Sequence, residues 1–172
     1  AAAQQGFSHA LQVDADGQHD SADLQPFLDS LQQHPEALVI GYPQYDQSVS
    51  RLRFYGRYAT HIWVWINTLS LDLKDTMCGA RLYPLQQLAP LLQRHPCGNR
   101  MDFDTEVLVR WHWAGYPVRN LPVKVHYPAD GISHFRMWRD NLLISRMHTR
   151  LFFGMLLRLP RLLVRKLRRR PA

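Results

Sequence analysis

Residues 8–20 read SHALQVDADGQHD and join a short apolar run to a cluster of polar side chains. The run at residues 8–13 is typical of a short β-strand, and Gly17 permits a turn soon after it. Asp14 and Asp16 would then stand at the carboxyl end of a strand, where open α/β sheets place their ligands. This stretch therefore predicts both a sheet and a binding site at its edge.

The polar side chains of this cluster suit a hard metal ion. Asp14 and Asp16 offer carboxylate oxygens and Gln18 an amide oxygen, and Mg²⁺ and Mn²⁺ prefer such ligands and commonly share them with substrate phosphates. The competing interpretation is an Asx turn followed by a helix cap at Asp20 or Ser21, which needs no metal. Spacing alone favours the turn, because D-x-D is a common pattern, whereas the position after a strand favours the metal.

Strand and helix patterns alternate along the next hundred residues. The predicted segments are a helix over 21–37, a buried strand over 37–43, a well-buried helix over 50–71, a short strand and then a helix from Pro84 over 78–95, a helix over 103–115 capped by Gly115, and a strand over 116–128 interrupted at Pro122. Strands that alternate with helices indicate an α/β sheet. A chain of 172 residues is long enough to bury one core of this kind.

The charges of the chain are unevenly distributed. Residues 134–172 hold eleven Lys or Arg and one acidic residue, whereas residues 1–133 hold ten Lys or Arg and thirteen acidic residues. Such asymmetry indicates an anionic partner, either nucleic acid or a membrane leaflet. The two cysteines form no metal-binding pattern and no disulfide framework, which favours a reducing compartment.

Residues 135–170 mix bulky apolar side chains with about one Arg per helical turn. The longest uncharged apolar run there is LFFGMLL, which is far shorter than the ~20 residues of a membrane span. We expect a basic amphipathic helix in the headgroup region of a membrane, broken near Pro160. A helix that packs its leucine face on the domain is the other interpretation, and the pattern alone does not separate the two.

Three blocks resemble, in order, those of family 2 glycosyltransferases, in particular the dolichyl-phosphate mannose synthase-like branch. VDADGQH at 13–19 is similar to the D-x-D stretch of that branch, and DLKDTMCGARLYP at 72–84 to its D-x-x-x-G-F-R block. Residues 101–135 resemble the block with an acidic residue on a helix, a Pro-Val strand and a G-x-S loop. The resemblance implies a GT-A fold, a Rossmann-like mixed sheet flanked by helices. Residues 1–134 would be its C-terminal part, followed by the helical tail at 135–172.

The resemblance also implies roles for individual side chains. The metal ligands would be Asp14, Asp16 and Gln18, and the candidates for the residue that orients or deprotonates the acceptor are Asp75, Glu106 and Asp104. The groups expected near the donor phosphates are Arg81, Ser133, His134 and Arg136.

The sequence departs from the family pattern at three places. Ala80 replaces an aromatic residue, and His134 stands where relatives carry Lys or Arg. The stretch GYPQYD at 41–46 replaces a G-S-R sequence, for which Arg51, Arg53 or Arg57 could substitute. These departures affect the expected polyprenyl-phosphate acceptor more than the nucleotide-sugar donor.

Together with this resemblance, the sequence predicts a glycosyltransferase that depends on Mg²⁺ or Mn²⁺. It would move a sugar from a nucleotide-diphosphate sugar to a lipid-linked or membrane-near acceptor, as a cytoplasmic protein held on the inner face of the bacterial cell membrane. Inversion at the sugar is implied by the resemblance alone. Part of the donor site is expected to precede Ala1, so we expect the chain alone to be inactive. The alternative is a non-enzymatic module that binds a membrane or nucleic acid through the basic tail. The Leu and Phe content of residues 151–164 disfavours nucleic acid.

Overall fold

The computed structural model describes residues 2–14, 24–45, 51–125 and 136–168, without the side chains of residues 45 and 51–54. Within these ranges the chain is a mixed α/β protein, as predicted, with a four-stranded mixed sheet flanked by helices. A short 3₁₀ helix at Ala2–Gln5 precedes the other elements, which are β1 (His9–Gln12), α1 (Gln25–Gln33), β2 (Leu38–Tyr45), α2 (Arg51–Thr68), β3 (Arg81–Pro84), α3 (Leu85–Arg94), α4 (Phe103–Ala114), β4 (Val118–Val125) and α5 (Met137–Arg168).

The described strands lie in the order β1-β3-β2-β4. β3 pairs antiparallel with both β1 and β2, and β2 pairs parallel with β4. The predicted interruption at Pro122 is wrong, since β4 continues through it and pairs along its length with β2. Proline is tolerated because β4 is the last described strand on its side of the sheet, so that a missing N–H can face away from the ladder.

The two faces of the sheet are covered unequally. Successive side chains of a strand point to opposite faces, and β2 shows this directly, with Val39 packed in one apolar cluster and its neighbours Leu38 and Ile40 in another. The cluster of Val39 includes Phe27 of α1. The larger cluster includes apolar residues of α2, α3, α4 and α5. α2, α3, α4 and α5 therefore pack on one face of the sheet and α1 on the other.

Three of the helices, α1, α2 and α5, differ from the sequence prediction. α4, in contrast, ends as predicted, with Gly115 in the left-handed conformation at φ 86°. α1 begins at Gln25 instead of residue 21, with Leu24 at the cap position, because Pro26 suits the first helical turn. The predicted cap residues Asp20 and Ser21 lie outside the described residues.

Two further expectations about long helices are corrected. α5 is not broken at Pro160, because Met155 and Leu162 on either side of it are buried in the same core. α2 is not buried all round, since Ile62 and Trp63 are 52% and 46% exposed. No helix within the described ranges combines the length and the apolar content needed to cross a bilayer.

Packing of α5 on the body can be tested by truncating one buried side chain. Leu151 is 1% exposed, so Leu151→Ala should lower the free energy of unfolding by about 2–5 kcal/mol, through lost burial and the cavity left behind. Leu157, on the same helix, is 85% exposed, and Leu157→Ala should change it by less than about 0.5 kcal/mol. Urea unfolding monitored by circular dichroism measures both values. Equal effects would show that α5 does not pack as described.

Candidate functional site

The strand register brings the first two sequence blocks together. Gln12 of β1 lies opposite Arg81 of β3 in an antiparallel pair, and continuing that register by two residues sets Asp14 opposite Gly79. A Cβ added to Gly79 would lie 2.0 Å from both Cγ and Oδ2 of Asp14. The Asp14 carboxylate therefore occupies the space that any larger residue at position 79 would need. This contact explains the glycine in the second block without any special backbone angle.

The third block reaches the contact between Asp14 and Gly79 through Arg81 and Asp104. We call the site formed by these four residues the corner. The Arg81 side chain is fully buried, and its Nη1 donates to Asp104 Oδ1 at 2.8 Å. The same Oδ1 accepts from Gln12 Nε2 at 3.1 Å. Asp104 lies in the first turn of α4, where the helix dipole favours a carboxylate. Its side chain remains 35% exposed, so that it reaches both the buried arginine and the solvent.

The other nitrogens of Arg81 also donate hydrogen bonds to groups of the protein. Nε donates to the Cys78 carbonyl at 2.9 Å and Nη2 to the Thr76 carbonyl at 2.8 Å. Nη1 also lies within hydrogen-bonding distance of the Asp104 carbonyl and of Tyr83 Oη. A guanidinium buried in this way holds its surroundings together. The geometry favours this structural role for Arg81 over the predicted contact with a donor phosphate.

Asp75 lies in a buried ion pair. Arg57 donates to it through Nε at 2.6 Å and Nη2 at 2.9 Å, and His61 Nε2 lies 3.4 Å from Oδ2. The backbone N–H groups of Met77 and Cys78 each donate to Oδ1 at 2.7 Å. Burial alone would raise the pKa of Asp75, but His61 and the Arg57 guanidinium outweigh it and hold the pKa well below its usual range. A carboxylate held this way is a weak base.

Glu106 is the deepest of the three candidate bases, with its side chain 0% exposed. Oε1 accepts from Arg110 Nε and Nη2 at 2.8 and 2.6 Å. Oε2 accepts from Arg150 Nη2 at 2.5 Å and from the Gly98 backbone N–H at 3.1 Å. Glu106 therefore ties α4 to α5 and to the preceding loop. Of Asp75, Glu106 and Asp104, the geometry favours Asp104 as the group able to meet a substrate.

The remaining predicted site residues are distributed differently. Asp16, Gln18, Ser133 and His134 lie outside the described residues. The Arg136 side chain is exposed, and its backbone N–H donates to Asp140 Oδ2 at 2.7 Å at the start of α5. Its role toward a phosphate stays a prediction.

A metal site is not complete within the described ranges. No group of three or more His, Cys, Asp or Glu side chains converges there. Two of the three predicted ligands, Asp16 and Gln18, belong to the stretch that is not described. Of the three predicted ligands, Asp14 lies in the part of the chain that the structure describes, and it fits the expected donor set because its carboxylate is a hard oxygen ligand two residues after β1.

Arg57, His61 and Gln12 are the site residues that sequence reasoning missed or left open. Arg57 was one of three alternative cations, and His61 follows it by four residues, so that both lie on one helix face. This spacing was a usable signal for a shared acidic partner. The contact of Gln12 with Asp104 joins positions 92 residues apart, and no local pattern indicates it.

Comparison of the chain with protein-family models, with curated proteins and with solved structures found no match. Membership of a glycosyltransferase family therefore stays a resemblance carried by the three sequence blocks.

The ion pair of Asp75 can be tested through its pH dependence. Asp75→Asn should lower the free energy of unfolding at neutral pH by about 3 kcal/mol, because Arg57 would lose its buried partner charge. The folded pKa of Asp75 lies below the unfolded value of about 3.9, so the stabilisation is complete above about pH 4 and is lost as the pH falls further. The difference between wild type and variant should therefore shrink between about pH 4 and pH 2.

Urea unfolding at a series of pH values measures this difference. Asp29→Asn is the matched control, since it removes an exposed carboxylate of α1 and should have a small effect at every pH. A pH-independent loss in Asp75→Asn would contradict the assigned ion pair.

Proposed function

We propose that the chain is part of a metal-dependent glycosyltransferase that moves a sugar from a nucleotide-diphosphate sugar to a lipid-linked or membrane-near acceptor. One observation carries the proposal. The Asp14 carboxylate fills the space above Gly79, so that two motif blocks more than sixty residues apart form one corner. A chance D-x-D turn has no reason to meet the second block, whereas a donor site built from both blocks needs that contact.

The metal chemistry follows from this corner. Asp14, together with Asp16 and Gln18, would hold Mg²⁺ or Mn²⁺, which when bound offsets the negative charge that develops on the departing nucleoside diphosphate. Asp14 follows two residues after β1, a strand fixed by its pairing with β3. A ligand close to a rigid element is held more accurately than one on a long loop.

Asp104 is our candidate for the residue that orients or deprotonates the acceptor hydroxyl. It shares the corner with Asp14 through Gln12 and Arg81. A base must reach both solvent and substrate, and its partly exposed side chain meets that requirement better than the buried Asp75 and Glu106. Inversion of the sugar is part of the proposal through the family resemblance alone.

We further propose that the protein works at the inner face of the cell membrane. α5 carries eight Lys or Arg among residues 137–168 beside exposed apolar side chains such as Phe153 and Leu157. Cations near an anionic leaflet contribute about 1 kcal/mol each. The alternative function, a membrane-binding module without catalysis, draws on the same helix but gives the corner at Asp14 no role.

Asp16→Ala tests the metal role directly. In the longest natural protein that contains this chain, it should abolish Mn²⁺-dependent transfer from a labelled nucleotide sugar, because a ligand to the metal is lost. Circular dichroism should show unchanged folding, and Asp29→Ala, on the exposed face of α1, should leave transfer unchanged. Turnover at the wild-type level in Asp16→Ala would refute the metal role. A wild type that consumes no nucleotide sugar would favour the non-enzymatic module.

Gly79→Ala tests whether the contact with Asp14 matters for the metal. The added methyl group would displace the carboxylate, so that Mn²⁺ affinity should fall by about tenfold or more, equivalent to about 1.4 kcal/mol. Electron paramagnetic resonance of Mn²⁺ measures the bound fraction. Gly56→Ala is the control, because a Cβ there meets nothing within 4 Å and should stabilise helix α2 slightly. Equal Mn²⁺ binding by Gly79→Ala and Gly56→Ala would show that the contact between Asp14 and Gly79 does not support a metal site.

A further inference from the structure

A cavity lies at the far end of α4 from the candidate site. Its volume is about 760 Å³, within the range of small-molecule sites. Asp104 lies in the first turn of α4 and His112, which lines the cavity, in the last. Eight residues separate them, about 12 Å along a helix axis. The cavity is therefore distinct from the corner at Asp14 and Asp104.

The wall of this cavity is apolar and built from three parts of the chain. α2, the segment after it and α5 contribute Ile62, Trp65, Ile66, Leu69, Leu71 and Leu162. Such a wall offers no hydrogen bonds and suits a hydrocarbon chain.

Hydrogen bonds fix the wall in place. Trp65 Nε1 donates to the Leu73 carbonyl at 3.2 Å. Thr68 Oγ1 lies within hydrogen-bonding distance of the carbonyls of Val64 and Ser70, at 2.8 and 3.1 Å. These contacts hold the turn at Leu69, whose φ of 52° lies in the left-handed region that L-residues rarely adopt. The cavity is thus a formed feature of the fold.

Beside Thr68 and Ser70, the polar lining residues are mostly basic. Arg165 and Lys166 of α5 line it together with His112, and Asp72 is the single acidic residue among its lining residues. Asp72 lies 3.3 Å from His112 Nε2, while Arg165 Nη2 lies 3.2 Å from His112 Nδ1. The chain therefore sets two cationic side chains beside an apolar cavity and balances them with one carboxylate.

The surface around the cavity has the same character. Three of the apolar lining side chains, Ile62, Ile66 and Leu71, are themselves exposed at its opening. Exposed apolar clusters of this kind mark membrane or protein contacts, and the adjacent Arg161 and Arg168 of α5 favour an anionic bilayer among these partners.

We propose that this cavity binds one anionic phospholipid of the bilayer surface, with an acyl chain against the apolar wall and the phosphate at Arg165 and Lys166. The bound lipid holds the chain on the membrane and is not the sugar acceptor, because its phosphate lies a helix length from Asp104. The inference does not depend on glycosyl transfer, since a chain without catalytic activity binds the same lipid.

Calorimetric titration of the chain with monomeric decyl phosphate tests the site. Inorganic phosphate and the uncharged decyl maltoside separate the contributions of the phosphate and the hydrocarbon. We expect saturable binding of decyl phosphate at one site, at least about tenfold tighter than either comparison ligand. Inorganic phosphate binding as tightly would overturn the proposal, because the cavity wall would then contribute nothing.

Three variants locate the binding. Ile66→Trp fills the cavity without changing charge, and Lys166→Gln removes a cation at its edge; each should weaken decyl phosphate binding by about tenfold. Arg139→Gln removes one charge at the opposite end of α5 and should leave the affinity within about twofold. Both lining positions lie on partly or fully exposed helix faces, so the variants should fold, which thermal unfolding checks.

Flotation with vesicles of phosphatidylcholine and phosphatidylglycerol connects this site to a bilayer. Wild type should float with anionic vesicles and Ile66→Trp should float less, at equal net charge. Wild-type flotation by Ile66→Trp would show simple adsorption through surface charge and overturn the proposal, as would binding of a protein partner at this face with no affinity for decyl phosphate.

Discussion

The arrangement of the described site depends on one buried cation, the guanidinium of Arg81. Taking such a charge out of water is costly unless its N–H groups find acceptors, and each of its three nitrogens donates to at least one acceptor among Thr76, Cys78, Tyr83 and Asp104. These acceptors belong to the loop before β3, to β3 itself and to α4. The hydrogen bonds of Arg81 thus fix β3 and the loop before it relative to α4, the helix that carries Asp104.

A second buried charge organises the opposite side of α4. Glu106 accepts hydrogen bonds from Arg110 of its own helix and from Arg150 of α5, which joins the basic helix to the body. Leu151 and Met155 of α5 pack into the same core as residues of β2. The two carboxylates of α4 therefore have different contacts. Asp104 faces the sheet and solvent, whereas Glu106 binds α5.

Local patterns in the sequence indicated the strands, most helices and the α/β class, because these follow from apolar periodicity and from caps such as Gly115. The errors at Pro122 and Pro160 arise because each proline lies where tertiary context tolerates it, in the last described strand on one side of the sheet and in an otherwise well-packed helix. The long-range partners of Asp75 and Glu106 could not be read locally, since Arg57 and Arg150 are 18 and 44 residues away, although the pair of Glu106 with Arg110 has the i,i+4 spacing of a local signal. Their burial in ion pairs favours a structural role for both over that of a base.

The pairing of Gln12 with Arg81 also limits how this chain can vary in length. Side chains alternate between the faces of a sheet, so inserting or deleting one residue between Ala10 and Gln12 would turn the side chains of Gln12 and Asp14 to the other face. Gly79 would then border an empty space, and Asp104 would lose Gln12. Substitutions along β1 can therefore be tolerated more readily than a change in its residue count, which makes the spacing itself part of the site.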